Sequence, residues 1–459
     1  MAQQVTSDAY LLGIYKTWYT EEGVENLLFR NDPFVKEIKK ERIGGKEYAF
    51  SLLYGRGGAV AGDFTVAVAA ATSTSRNAEM KVPPGQIFSA FVITQKEKLA
   101  SMEKRGAYTP ALIDKMFAAT EALRKTLAAS FYGMGYGEIG PIPAAGVLAG
   151  ASTFTFLNYD PIMKIDIGTQ FEVTSTSLPS SALVAGGPFT VTAISGKTIT
   201  FSPVAPAGGF AAASVVELAG SRDSGGNPNL PMGLAAWIPY LADRTGATWT
   251  TYIGTSFYGV TRSVAVEKLA GQWYVNAGGE KTYQVLTNLI RLLRSAGAVP
   301  DSIIINSEDY AQLITDLNAA KTYFQSINTS PDKSASNEVE FGLAKFGVQF
   351  ESNWVKNVYE TPYCPKGYAW VGEKDAIKFV GLSNMETPVN DGIAGTDPGS
   401  QKVDGVNAPD VDQYKFIIDD YLQVQPATAT ADGPGALVSL SLYANLVVTN
   451  PAHWGVCKF

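Results

Sequence analysis

The spacing of apolar residues predicts one long helix over 109–132. Thr109 followed by Pro110 is typical of a helix start, and Gly133 is typical of a helix end. Between them the apolar side chains recur at helical spacing, at Leu112, Met116, Leu123, Leu127 and Phe131. A helix of this length is a rod of about 36 Å, which is long for a globular domain.

The segment before this helix, 1–43, is predicted to be a helical arm. Five apolar residues share one helix face: Tyr10, Leu11, Ile14, Tyr15 and Trp18. Phe34, Val35 and Ile38 begin a second short amphipathic piece. No nearby segment offers these faces an apolar cover, so we expect the arm to pack on another molecule. The alternative, a helical start to an ordinary domain, stays open.

Two predicted strands, 46–54 and 79–94, enclose an unusually long connection. Pro83 and Pro84 interrupt the second strand. The connection is rich in small and polar residues, and its β-branched residues predict an extended ribbon: Val60, Thr65, Val66 and Val68. Hairpin loops normally have about 2–5 residues, so we expect this ribbon to lie on a partner. A capping box over 94–97 then predicts a short helix that ends near Gly106.

Residues 152–220 change character, because charged residues become rare and short β patterns dominate. The predicted strands are 163–167, 170–176, 188–194, 197–202 and 214–219, with Ser195-Gly196 as a hairpin turn. Helical patterns resume afterwards. We therefore predict a small β-barrel or sandwich inserted into a host domain.

Residues 221–412 read as α+β. We predict helices over 280–296 and 308–319, and strands at 302–305, 346–351, 368–372 and 376–381. The acidic stretch 389–412 reads as a loop, followed by long strands at 413–424 and 436–449. In the last strand Leu440 and Leu442 alternate with Ser439 and Ser441.

Composition narrows the function classes. The chain has 459 residues, a net charge of −7 and one histidine, His453, which excludes multi-histidine metal sites. Mild acidity argues against tight binding of nucleic acid. Cys364 and Cys457 cannot form a disulfide framework and are expected to stay reduced thiols. We expect neither a signal peptide nor a membrane span, and we predict no cofactor.

Several motifs suggest chemistry but lack the required context. Gly135–Gly140 matches a dinucleotide fingerprint, yet a predicted helix precedes it. Gly196-Lys197-Thr198 lacks the first glycine of a phosphate loop, since Val191 holds that place. The basic run at Lys36, Lys39, Lys40 and Arg42 reads as a solvated helix face rather than a nucleic-acid contact. We predict no catalytic or metal residues.

The acidic loop is the one candidate cation site, and it is weak. Its carboxylates are Asp391, Asp397, Asp404, Asp410 and Asp412. Their spacing matches no calcium loop, so a solvated loop is the preferred interpretation.

The order of these elements resembles the major capsid proteins of tailed bacteriophages, which have the Hong Kong 97-type fold. Local stretches agree: ITQKEKLASMEKRGAYTPALIDKMF over 93–117, Gly233–Pro239, Tyr258–Ser263, Pro300–Asn306 followed by Tyr310, and Asn450-Pro451-Ala452. Each motif is weak alone, and their order carries the specificity. Together they span nearly the whole chain outside 152–220.

The resemblance implies an α+β layout with named domains. It equates 1–43 with the N-terminal arm, 44–94 with the extended E-loop, and 95–151 with a P-domain whose spine helix is 109–132. The segment 152–220 is the inserted β domain, 221–412 the A-domain, and 413–459 the C-terminal strands that return to the P- and A-domains.

The resemblance also implies partners and location. Copies would form hexamers and pentamers in a closed icosahedral shell around double-stranded DNA, without sequence-specific binding. A separate scaffolding protein, a portal and a decoration protein are expected companions, with assembly in the bacterial cytoplasm and a final place in the virion. The inter-subunit contact candidates are Tyr10, Leu11, Ile14, Tyr15, Trp18, Arg56, Phe64 and Val66, with Arg56 as a candidate for an ion pair.

Some features depart from the family pattern. The stretch 55–80 has no lysine, so we predict no Lys–Asn cross-link between subunits. The last strand lacks the Arg and Glu residues often found there. Three other functions stay open: an encapsulin-like nanocompartment shell, a tail or decoration protein and, as a weaker alternative, a β-rich polysaccharide hydrolase with paired carboxylates.

Overall fold

The computed structural model describes residues 33–43, 45–55, 61–70, 76–94, 111–176, 181–276, 278–320, 348–350, 353–355, 357–382, 422–429 and 435–459. The chain divides into two compact units. Unit 1 comprises Met1–Tyr48, Val82–Gly233 and Phe379–Val447, and unit 2 comprises Ala49–Lys81, Leu234–Lys378 and Val448–Phe459.

The described helices vary widely in length. They are α1 Pro33–Glu37, α2 Phe64–Ala70, α3 Ala111–Ser130, α4 Asp160–Met163, α5 Leu234–Trp237, α6 Gly246–Gly254, α7 Val266–Leu269, α8 Thr282–Ser295 and α9 Ser307–Ala320. Short 3-10 turns cover Arg262–Val264, Lys374–Ala376 and Pro451–His453.

The strands fall into separate sheets. They are β1 Lys39–Ile43, β2 Tyr48–Gly55, β3 Arg76–Val82, β4 Gly85–Thr94, β5 Glu138–Pro141, β6 Thr153–Thr155, β7 Gln170–Val173, β8 Phe189–Ser195, β9 Thr198–Ser202, β10 Val215–Leu218, β11 Gln272–Val275, β12 Ser302–Ile305, β13 Val348–Phe350, β14 Asn353–Val355, β15 Asn357–Glu360, β16 Tyr368–Gly372, β17 Ile377–Leu382, β18 Leu422–Ala429, β19 Gly435–Val448 and β20 Trp454–Lys458.

Unit 1 is built on a sheet with the order β1-β17-β19-β18, in which β4 also pairs with β19. The β4–β19 ladder is antiparallel and runs without a shift from Gly85 opposite Ala444 to Thr94 opposite Gly435. Helix α3 packs on β4. Its predicted stripe is buried where the structure describes it, at Leu123, Leu127 and Phe131.

A second sheet of unit 1 has six strands in the order β5-β10-β7-β8-β9-β6. Its core contains six phenylalanines, which we call the phenylalanine cluster: Phe154, Phe156, Phe171, Phe189, Phe201 and Phe210. Their ring centroids lie 4.9–6.3 Å apart, mostly edge to face or tilted. These are favourable aromatic geometries, so this sheet has its own hydrophobic core.

Unit 2 contains a mixed sheet with the order β11-β20-β16-β12-β15. Its core joins the apolar stripe of α8, including Leu286 and Leu289, to Ile303 and Ile305 of β12. A half-buried arginine, Arg244, donates hydrogen bonds to the carbonyls of Pro239, Ala270 and Gly271 at 2.7–2.8 Å. Burial lowers the pKa of Arg244 to about 9.

The long apolar patterns were predicted closely. Helices α8 and α9 and strands β12, β16 and β19 lie within two residues of their predicted limits. The predicted hairpin turn is present, because Gly196 has a φ of +60° between β8 and β9. Strand β5 follows Gly135 and Gly137 where a dinucleotide site needs a helix, which supports rejecting that motif.

Two predictions about 1–43 are wrong. Phe34, Val35 and Ile38 are buried within the single chain, because β1 follows directly and joins the sheet of unit 1. Lys39, Lys40 and Arg42 lie in β1, not on a helix. The face formed by Tyr10–Trp18 lies outside the described residues.

Three further predictions are corrected. Residues 64–70 form helix α2 and not an extended ribbon. The predicted strand at 163–167 is the end of α4 and a following turn, because Pro161 at the helix start favours a helical turn there. Where its side chains are described, strand β19 is buried on both faces, with Leu440 and Leu442 on one face and Ser441 and Asn445 on the other; Asn445 bonds to Pro83 and Met232.

Candidate interaction surface

The connection between β2 and β3 carries an exposed apolar helix. We call residues 61–70 the loop tip. The side chain of Asp63 accepts a hydrogen bond from the Thr65 N–H at 2.7 Å, and its carbonyl accepts one from Ala67 at 3.0 Å. Asp63 therefore caps α2, and the alanines that follow favour a helix over the ribbon that Thr65, Val66 and Val68 suggested.

The loop tip leaves its apolar side chains in solvent. Phe64 is 84% exposed, Val66 57% and Val68 54%. Phe64 and Val68 share one helix face, whereas Val66 points to another side. Apart from Thr65, the side chains of this short helix are apolar, and such a helix is typical of a segment that is buried in a complex.

The base of the loop is anchored within unit 2. The Phe50 ring lies 6.3 Å from the Trp237 ring, and Lys268 donates a hydrogen bond to the Tyr54 carbonyl at 2.8 Å. The Lys81 N–H donates to the Tyr258 carbonyl at 3.2 Å. A two-stranded ribbon is marginally stable alone, so these contacts hold the base of β2 and β3 while the tip stays uncovered.

A second accessible feature is the outer edge of β4. The Gln86 N–H donates to the Asn229 carbonyl at 2.8 Å, so it points away from β19. Because the backbone direction alternates, the backbone groups of Phe88 and Ala90 also face outward. Within the part of the chain that the structure describes, these groups have no hydrogen-bond partner. Open strand edges are recognition elements.

A cleft of about 570 Å³ lies along this edge in unit 1. Its lining includes Phe88 and Ala90 of β4, Leu123 and Lys125 of α3, and Gln170 at the start of β7. Phe88 is largely exposed and stacks edge to face on Tyr443 at 5.8 Å. The cleft contains both apolar and charged groups.

The single histidine and the two cysteines are held by contacts within the chain or are buried. His453 Nδ1 lies 2.8 Å from a carboxylate oxygen of Glu373. Cys364 and Cys457 are buried free thiols, and burial raises the pKa of Cys457. Among the described residues, no group of three His, Cys, Asp or Glu side chains could hold a metal ion. The acidic loop 389–412 lies outside those residues.

The structure describes two of the eight predicted contact residues, Phe64 and Val66. Both are exposed, although their helical conformation was missed. Tyr10–Trp18 and Arg56 lie outside the described residues. Sequence reasoning missed the β4 edge. It also missed Asp63, although an aspartate directly before Phe64-Thr65-Val66-Ala67 is a recognisable cap signal.

No helix of the described residues combines the length and apolarity that crossing a membrane requires. No family model matches the sequence, and no curated protein matches it.

Solved structures do match. A chain of the cyanophage A-1(L) capsid asymmetric unit is 13% identical, with 97% of this chain and 96% of that chain covered and a TM-score of 0.52. A chain from the capsid of a native GTA particle is 10% identical, with 100% and 99% covered and a TM-score of 0.43. A chain of an encapsulin complex from Synechococcus elongatus is 8% identical, with 95% and 91% covered and a TM-score of 0.42.

The match to the cyanophage capsid chain extends over nearly the full length of both proteins. It confirms the resemblance that the order of motifs indicated. The chain has the Hong Kong 97-type capsid fold.

Proposed function

We propose that this chain is the major capsid protein of a tailed bacteriophage and that its copies assemble into an icosahedral shell around double-stranded DNA. The observation that carries the proposal is the full-length match to a cyanophage capsid chain. Fold alone does not establish function, so the surface features must support the same conclusion.

The loop tip supports assembly from copies of this chain. Phe64, Val66 and Val68 have no apolar cover among the described residues of their own chain. Burial of apolar area contributes about 25 cal/mol per Å², and a neighbouring copy supplies that burial in a shell. The predicted contacts at Tyr10, Leu11, Ile14, Tyr15, Trp18 and Arg56 belong to the same proposal.

The open edge of β4 offers a second type of contact. An extended segment that pairs with Phe88 and Ala90 would gain backbone hydrogen bonds. In a shell, such an edge must be covered or paired to avoid uncontrolled aggregation. The edge therefore fits a chain that works in a lattice better than one that works alone.

The remaining parts of the proposal follow from the capsid interpretation. Hexamers and pentamers would be the capsomers, with a separate scaffolding protein, a portal and a decoration protein as partners. The net charge of −7 suits a container that releases its DNA, because a basic wall would retain phosphates. The protein would be made in the host cytoplasm and would end in the virion.

The proposed domain layout is the one that the resemblance implies, with an arm, an E-loop, a P-domain, an inserted β domain and an A-domain. The strand-rich segment 152–220 would face outward, where a bulky addition disturbs a lattice least. No catalytic role is part of the proposal.

Electron microscopy of the purified full-length chain tests assembly. We expect closed shells or sheets of hexagonal rings. A variant with Phe64→Ser, Val66→Ser and Val68→Ser should stay small in analytical ultracentrifugation while its thermal unfolding changes little, because these residues are exposed.

A matched control carries Val264→Ser and Val299→Ser, two exposed valines that are not part of the loop tip. This variant should assemble as the wild type does. A wild-type chain that remains a stable monomer at high concentration, with and without a scaffolding partner, would contradict the proposal. Particles that enclose an enzyme cargo rather than DNA would point instead to the nanocompartment alternative.

A further inference from the structure

Two sequence motifs, Gly233–Pro239 and Tyr258–Ser263, meet at the base of the loop that carries α2. The Trp237 ring lies 5.5 Å from the Tyr258 ring and 5.1 Å from the Phe257 ring, measured between ring centroids. Trp237 and Phe257 are buried. Neither motif belongs to the loop tip, so the contacts proposed above give them no role.

The second motif begins in a tight turn that places Tyr258 in a strained conformation. Phe257 and Val260 exchange backbone hydrogen bonds of 2.9 and 3.0 Å, and Tyr258 and Gly259 between them have φ values of +50° and +89°. We call Phe257–Val260 the anchor turn. Such a turn favours asparagine and glycine at its centre, whereas a bulky residue with positive φ is an outlier. Strain of this kind persists where the surrounding contacts require it.

Tyr258 contacts both strands of the β2–β3 ribbon, β3 directly and β2 through Trp237. Its carbonyl accepts a hydrogen bond from the Lys81 N–H of β3 at 3.2 Å. Its ring packs on Trp237, which lies 6.3 Å from the Phe50 ring of β2. All four residues belong to unit 2. A two-stranded ribbon is marginally stable alone, so contact with both strands at one point fixes the direction in which the ribbon leaves the unit.

A buried arginine supports the anchor turn. Arg262 is 1% exposed, and its Nη1 donates a hydrogen bond to the Ala236 carbonyl at 2.7 Å. Its guanidinium lies 4.0 Å from the centre of the Phe257 ring, and cation–π contacts strengthen when solvent is excluded. Arg262 therefore ties Phe257 to the end of α5 beside Trp237. The two rings form a fixed surface on which the Tyr258 ring packs.

We propose that Tyr258 is a positioning residue for assembly, which sets the direction of the β2–β3 ribbon and so presents the loop tip to a neighbouring copy. The left-handed backbone of Tyr258 directs its carbonyl to β3 and its ring to Trp237 at the same time. Asparagine would suit the turn better but carries no ring for Trp237. The link to assembly rests on the proposed function, whereas the direction of the ribbon is a property of the single chain.

Tyr258→Asn separates the ring from the turn. Asparagine before Gly259 favours the same turn, so the carbonyl that binds Lys81 stays in place and the subunit keeps its fold. The contact with Trp237 is lost, so the ribbon should swing over a wider range of directions. Tyr258→Phe retains the ring and should behave as the wild type does.

Electron-spin distance measurement on the unassembled full-length chain tests the direction of the ribbon. Spin labels are attached at Ala61→Cys in the loop tip and at Val299→Cys, two exposed sites of unit 2. The native thiols of Cys364 and Cys457 are fully buried and should not react. We expect a clearly broader distance distribution in Tyr258→Asn than in the wild-type background, and an unchanged one in Tyr258→Phe. Equal widths in all three would overturn the proposal.

Tyr283→Asn is the matched control for this measurement. Tyr283 also belongs to unit 2, but it packs against the core formed by α8 and β12. This variant should leave the distance distribution as it is in the wild type. Broadening in Tyr283→Asn equal to that in Tyr258→Asn would reflect a general loosening of unit 2 and would overturn the assignment to Tyr258.

Light scattering of unlabelled variants tests the consequence for assembly. A binding-competent state that is only partly populated weakens the apparent affinity in proportion. If Tyr258→Asn reduces the correct direction to about a tenth of the population, the concentration at which shells form should rise about tenfold, while Tyr258→Phe assembles normally. Broadening without any change in assembly would contradict the positioning role. If wild-type copies form no shells, the capsid proposal fails, and the distance measurement still decides whether Tyr258 directs the ribbon.

Discussion

The six-stranded sheet and the loop tip use apolar residues in opposite ways. In the sheet, the phenylalanine cluster is buried entirely by its own strands and their connections. In the loop tip, Phe64 is 84% exposed and its valine neighbours are more than half exposed. The two segments belong to one chain and the more apolar one is the more exposed, so hydrophobicity alone does not decide which segment is buried.

The difference in burial follows from the number of strands that pack together in each segment. Six strands enclose a core and bury their aromatic rings without help. The loop tip has only a seven-residue helix at the end of a two-stranded ribbon, and neither element is stable without support. We therefore expect mutations in the sheet to change the stability of the subunit, and mutations in the tip to change its association.

Phe201→Ala should have the largest effect on stability. Phe201 is buried and its ring contacts those of Phe154, Phe171, Phe189 and Phe210. Truncation of a buried phenylalanine costs about 3–5 kcal/mol, which denaturant unfolding followed by circular dichroism would measure.

The paired variant Phe64→Ala should change the unfolding free energy by less than about 0.5 kcal/mol and should impair assembly. Equal losses of stability in both variants would refute the contrast.

The sequence predicts regions like the sheet better than regions like the tip. Strands β8 and β9 and their turn were recognised because alternation and a glycine turn are local signals. The same holds for α8, whose stripe from Val285 to Leu293 is buried as expected. Local pattern failed at α2, where β-branched residues suggested a ribbon but Asp63 and the alanines determined a helix.

The second limit of prediction from the sequence was burial by segments that are distant along the chain. Phe34 and Val35 were expected to need a neighbouring molecule, yet β1 carries them into unit 1. Ser441 was expected on a polar face, yet it is buried. The open edge of β4 depends on its pairing with β19, and no pattern within Gly85–Thr94 reveals it.

Gly233→Ala should lower the stability of the subunit by an intermediate amount. The change lies in unit 1, as Phe201→Ala does. An added Cβ would lie 2.2 Å from the carbonyl oxygens of Ser130 and Phe131, at the end of α3. These backbone atoms cannot move freely, so we expect a loss of about 1–3 kcal/mol in denaturant unfolding.

The control for this prediction is Gly254→Ala, since a Cβ at Gly254 in α6 meets no atom within 4 Å. That variant should unfold at the same denaturant concentration as the wild type or slightly above it. If Gly233→Ala unfolds as the control does, the close approach at the end of α3 is not a constraint.

Asp63→Ala should have the smallest effect on stability and should act only on the loop tip. Loss of the cap removes the hydrogen bond to the Thr65 N–H and costs the helix about 1 kcal/mol. Because α2 contributes little buried area, global unfolding should stay unchanged while amide exchange over 64–70 becomes several-fold faster. Asp63→Asn, which retains a capping oxygen, should restore protection from amide exchange.

If the helix orders the apolar residues for a neighbour, Asp63→Ala should also raise the concentration needed for assembly, whereas Asp63→Asn should not. A tip that loses its protection without any change in assembly would show that Phe64 and Val66 bind in a conformation other than α2.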